Sequence, residues 1–143
     1  MVPAVKTRLL ERMRDRPELA DVAVTRAINP ERPADAVWFG DARIAHEPRA
    51  IKAGRRSRDE EAELEFYVYT YLAGSEAEDA ELRAFGHLSA IEDIVADDPH
   101  IGFDGGDVSW VIFAGVRSLD SGPREEGADC LLVAAIRLRA RLD

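Results

Sequence analysis

Glu63-Leu64-Glu65-Phe66-Tyr67-Val68-Tyr69-Thr70-Tyr71-Leu72 alternates residue by residue, with Leu64, Phe66, Val68, Thr70 and Leu72 on one side and Glu63, Glu65, Tyr67, Tyr69 and Tyr71 on the other. A period of two belongs to a β-strand, whose successive side chains point to opposite faces. The first face is therefore a core face and the second an amphipathic one. Gly74 breaks the strand, and Ser75-Glu76-Ala77-Glu78 has the form of a capping box at a helix start. Glu76, Glu78, Asp79 and Glu81 also suit the positive end of a helix dipole. Leu82, Phe85, Leu88, Ile91 and Val95 are the expected buried stripe of this helix, which Asp97-Asp98-Pro99 ends.

Upstream, Pro3 suits a first helical turn, and Val5, Leu9 and Met13 follow at four-residue spacing until Pro17. Val22, Val24 and Ile28 predict a strand closed by Asn29-Pro30 and Pro33, and a second strand runs from Ala36 to about Glu47. Downstream, Asp104-Gly105-Gly106-Asp107 is a turn signal, and Val108 to Leu119, with Trp110, Ile112, Phe113 and Val116, is strongly β-prone. A polar loop is expected between Asp120-Ser121-Gly122-Pro123 and Glu126-Gly127. The final strand places Cys130, Leu132, Ala134, Ile136, Leu138, Ala140 and Leu142 on one face and Arg137, Arg139 and Arg141 on the other. The expected fold is α+β: a mostly antiparallel sheet of about five strands with two helices packed on one face, as a single domain over residues 1–143.

Charge is segregated along the chain. Residues 1–58 carry 13 Lys and Arg against 8 Asp and Glu, residues 59–143 carry 6 against 20, and the whole has net charge −9. The sign changes between Arg58 and Asp59. Such asymmetry is a mark of interaction proteins. The overall acidity excludes a general nucleic-acid binder, which needs cations to displace counterions from phosphates. No apolar signal core and no run near ~18 apolar residues is present, so a protein made and kept in the cytoplasm, without membrane contact, is expected. The single cysteine, Cys130, permits no internal disulfide and reads as a small core residue.

Candidate chemistry is sparse. His46, His87 and His100 stand apart, no serine sits in a nucleophile elbow, and neither phosphate-loop glycine pattern occurs. Asp97, Asp98, His100, Asp104 and Asp107 form the best metal candidate, but they lack the EF-hand spacing and its bidentate Glu, and the preferred reading is ordinary turn chemistry. No catalytic residue, cofactor or metal is assigned. Arg55, Arg56 and Arg58, following Lys52, can grip an acidic partner or serve as a solvated loop between strands. Arg137, Arg139 and Arg141 have the same spacing as Glu61, Glu63 and Glu65 and the opposite sign. If their strands are neighbours the pairing is internal; otherwise it can join subunits.

The order of elements, together with Arg16-Pro17-Glu18-Leu19-Ala20-Asp21-Val22, Ala36-Val37-Trp38-Phe39-Gly40, Ala53-Gly54-Arg55-Arg56, Arg83-Ala84-Phe85, Ala96-Asp97-Asp98-Pro99 and Ala114-Gly115-Val116, resembles the tail terminator (tail-completion) proteins of long-tailed bacteriophages and gene-transfer agents. The resemblance implies a non-catalytic virion subunit, a hexameric ring that caps the head-proximal end of the tail tube. Its partners would be further copies of itself, the major tail tube protein and the head-tail connector protein, with DNA only passing through the lumen. Arg55, Arg56, Arg58, Glu63, Glu65, Arg137, Arg139 and Arg141 are the candidate subunit or tube contacts. A head-tail connector or head-completion protein has a similar profile. A small metal- or ligand-binding enzyme domain, using the Asp97 to Asp107 loop, is the alternative from another class.

Overall fold

A computed structural model describes residues 1–31, 33–52, 55–103 and 106–142, with the backbone alone at 47–52 and 55–58. Helix α1 (Val2–Asp15) and a 3-10 turn (Pro17–Leu19) lead to a short β1 (Ala23–Thr25); β2 (Asp35–Lys52) and β3 (Arg55–Ala73) form a long hairpin; α2 (Ala77–Asp97) precedes a second hairpin of β4 (Val108–Arg124) and β5 (Gly127–Leu142). The sheet order is β1-β2-β3-β5-β4. Every pairing is antiparallel except β1 with β2. The α+β expectation, mostly antiparallel with five strands and two helices, is what the chain adopts.

The alternation beginning at Glu63 sets the layers. Leu64, Phe66, Val68 and Thr70 are fully buried, as are Leu132, Ala134, Ile136, Leu138 and Ala140 across the β3–β5 ladder. Val5, Leu9 and Met13 of α1 and Leu88, Ile91 and Val95 of α2 join the same core. Both helices thus cover one sheet face, and the opposite face carries the tyrosines and charges. Arg14 donates twice to the Val24 carbonyl, at 3.2 and 2.9 Å, which ties α1 to the short edge strand.

Several local expectations are corrected. Leu82 and Phe85 are 65% and 42% exposed, and Ala80 and Ala84 are buried in their place. Thr70 donates to the Ala80 carbonyl at 2.8 Å, which turns the Ala80–Ala84 side of α2 to the sheet and leaves Leu82 and Phe85 on the other side. The helix cap lies one residue later than expected: the Glu76 amide donates to the Asp79 carboxylate at 3.1 Å, while the Ser75 hydroxyl bonds back to Ala73. Ile28 is exposed beyond the end of β1. The expected basic loop is strand: the β2–β3 ladder continues to Lys52 opposite Arg55. The expected polar loop at Asp120 to Pro123 is strand as well, because β4 continues to Arg124 opposite Gly127. Proline is tolerated there because β4 is an edge strand.

Candidate assembly surfaces

Neighbouring strands decide the fate of the two charged stripes. In the β3–β5 register Glu63 lies opposite Arg137, Glu61 opposite Arg139 and Asp59 opposite Arg141. Arg139 donates to Glu61 at 2.8 Å and to Asp59 at 2.9 Å, so its charge is held within the chain. Glu63 accepts from Arg117 of the edge strand. Arg137 is exposed on the same face, and half-buried Glu65 stands opposite Ala135, away from the arginines. Of the eight candidate contact residues, Glu63, Arg137, Arg139 and Arg141 therefore share one patch. Arg55, Arg56 and Arg58 fall at the start of β3, with side chains outside the described residues.

The β2–β3 hairpin leaves the body of the protein. From Asp41 to His46 every residue of β2 is exposed, on both faces, with Ile44 at 50%. Register shifts at Phe39/Ala42 and Pro48/Ala50 add twist to this ribbon. The β5 partner stops at Leu142 opposite Arg58, so the distal part is only two strands wide. Gly40 stands at its base, where any Cβ would meet the Tyr67 ring, which stacks on Trp38 with centroids 5.3 Å apart.

At the opposite end of the sheet the same outer face is concave. A groove of about 670 Å³ is floored by Trp38, Tyr69, Tyr71 and Leu131, bounded by Ile28 and Pro33, and rimmed by Asp120, Glu125 and Asp129. Asp129 is 8% exposed. Its carboxylate accepts from the Tyr69 hydroxyl at 3.0 Å and from Arg124 Nε at 2.7 Å. That hydrogen bond and the charge behind it raise the Arg124 pKa further. Tyr71 donates to the Glu125 carbonyl at 2.9 Å, so the groove wall is fixed by its own tyrosines. The period-two pattern signals the tyrosine face, but it does not signal the groove, whose other wall comes from β4 beyond Leu119, where the sequence has the composition of a loop.

The remaining candidates are drawn into structural bonds. Asp97 pairs with Arg16 and Asp98 with Arg12, both at 3.3 Å. His100 Nδ1 lies 2.8 Å from the Val108 carbonyl. Asp104 lies outside the described residues. Among the described residues no group of acids, histidines and cysteine has the arrangement of a metal centre. His87 Nε2 is 2.9 Å from Asp35, whose carboxylate also takes two hydrogen bonds from Arg83 at 2.8 and 2.6 Å. Cys130 faces the core opposite Thr70, and burial pushes its thiol pKa up to about 11. Among the described residues no helix is long and apolar enough to cross a membrane.

No family model and no curated protein matches the sequence. Among solved structures, the chain is similar to one from the virion of a native gene transfer agent particle, with TM-score 0.59 and 13% identity over 95% of each chain. At that identity the likeness is one of fold.

Proposed function

We propose that the chain is a structural virion subunit that closes into a ring at the head-proximal end of a tail tube, ends tube growth and offers a surface for the head connector. One observation supports this above the others: the fold is shared along nearly the full length of a chain from a gene transfer agent virion. The projecting β2–β3 ribbon and the groove at the other end of the sheet are the kind of unlike surfaces a heterologous ring needs. A net charge of −9 keeps a ring lumen from trapping DNA of like sign. His87, His100 and Cys130 serve structural roles, and no catalysis belongs to this function.

Native mass spectrometry of the purified protein, followed by electron microscopy of tail tubes incubated with it, tests the proposal. A closed ring of about six subunits seated on one tube end is expected. A protein that stays monomeric and ignores tube ends refutes it, and binding to empty heads in preference to tubes assigns it to the connector instead.

A further inference from the structure

The β2–β3 ribbon and the outer-face groove are chemically complementary. Between Ala42 and Arg58 the sequence carries Arg43, Arg49, Lys52, Arg55, Arg56 and Arg58 against Glu47 alone. The groove carries Asp120, Glu125 and Asp129 against Arg124, over an aromatic floor. Guanidinium groups suit both parts of such a surface, since they pair with carboxylates and stack on aromatic faces.

The placement of the two surfaces excludes self-docking. Tyr69, in the groove, and Arg55, near the ribbon tip, lie on the same strand, roughly 45 Å apart at about 3.3 Å per residue. A rigid strand cannot fold its tip back onto its own far end. A second copy can supply the missing partner, and a contact between opposite ends of identical chains is heterologous, the type that closes into rings. The ribbon also needs such a partner, because a two-stranded hairpin alone is marginal in water.

We infer that the basic tip of the β2–β3 hairpin of one subunit seats in the groove of the next, with its arginines against Asp120 and Glu125 and its backbone over Trp38, Tyr69 and Tyr71. This rests on the self-assembly proposed above and names the acceptor surface for it. It also separates the eight sequence candidates: Arg55, Arg56 and Arg58 make the contact between subunits, while Arg139 closes an ion pair inside its own subunit.

Two experiments on the full chain test the inference. With Ile51→p-benzoylphenylalanine, irradiation of the assembled protein should cross-link tip to groove, so that peptide mapping finds adducts at residues 28–38, 69–71 or 120–131 of a neighbouring copy. In parallel, Asp120→Arg with Glu125→Arg should raise the concentration for half-assembly by about tenfold, the scale of one close interfacial charge pair. Adding Arg55→Glu and Arg56→Glu should bring it back. Rings that form with adducts elsewhere, or that ignore the groove reversal, overturn this inference and leave the ring intact. A chain that stays monomeric at every concentration overturns both. Adducts from the tip to a tail tube protein added to the mixture, with none to a second copy, overturn the second-copy assignment alone.

Discussion

Replacing Arg139 by methionine keeps most of the side-chain volume and removes the guanidinium that joins Asp59 and Glu61. Asp59 is only 8% exposed at its side chain, whereas Arg139 and Glu61 are about one-third exposed, at 31% and 30%. A charge-assisted hydrogen bond contributes about 1.5–3 kcal/mol when buried, and solvent screening reduces the share made with Glu61. The expected loss is about 2 kcal/mol. At an unfolding entropy of about 2.1 cal/mol/K per residue, the 143-residue chain loses about 0.3 kcal/mol per degree near its midpoint, so Tm should fall by roughly 7 °C. Differential scanning calorimetry across a hundredfold range of protein concentration is the assay. Because the ion pair is internal, the shift must be present at the lowest concentration. A shift below ~2 °C, or one that emerges only where subunits associate, refutes the internal pairing. Arg137→Met, on an exposed neighbour in the same stripe, is the control and should move Tm by no more than about 2 °C.

Other outcomes follow from local geometry. Gly127→Ala drives a Cβ into the Leu72 carbonyl oxygen and to 2.9 Å from Ala73 Cα, backbone atoms that cannot move aside, and urea unfolding should show a loss of about 2 kcal/mol. Gly86→Ala, in the middle of α2 with no atom within 4 Å of the new methyl, should instead add about 0.8–1 kcal/mol. Asp79→Ala removes the acceptor for the Glu76 amide and should cost about 1 kcal/mol, whereas Ser75→Ala and Glu78→Ala should each cost a few tenths. The Cys130 thiol is pushed up to about 11, so the folded state holds its proton after the unfolded chain, near 8.5, has released it. Stability from this group is full below the unfolded value and is lost as pH rises toward 11, by at most about 3 kcal/mol. Chemical denaturation from pH 8 to 11 should therefore show a flatter decline for Cys130→Ala than for the unmodified protein; equal slopes reject the burial effect.

The sequence was most informative where one local pattern was decisive. The Glu63 to Leu72 alternation needs no tertiary information, because a period of two assigns each residue to a face, and the last strand repeats it in the same sense. It was least informative where a neighbour at distance made the choice. Leu82 and Phe85 are as apolar as any core residue, yet the hydrogen bond from Thr70 to Ala80 turns the Ala80–Ala84–Leu88–Ile91 stripe of α2 to the sheet and leaves them on the far side of the helix. Glycine, serine and proline from Ser121 to Pro123 spell a loop, and only pairing with Cys130, Asp129 and Ala128 keeps them in β4. The groove suffered the same fate. Its tyrosines were visible, but its other wall came from that hidden stretch of strand. The matched stripes of Glu61, Glu63 and of Arg137, Arg139 were readable, and whether they meet depended on strand order, which no spacing encodes.

That strand order has a consequence for how the protein comes into being. β5 lies between β3 and β4, so the last of these five strands to be synthesised is an interior one. Until it emerges from the ribosome, β3 and β4 each lack a hydrogen-bonding neighbour, and Leu64, Phe66 and Val68 lack the Leu132–Ile136–Leu138 row beside them. A nascent chain stopped before Gly127 would offer two open strand edges above an incomplete core, a state prone to wrong association. Asp129 and Leu131 of β5 also line the outer-face groove, so that concavity is complete only once the last of the five strands has slotted between its neighbours.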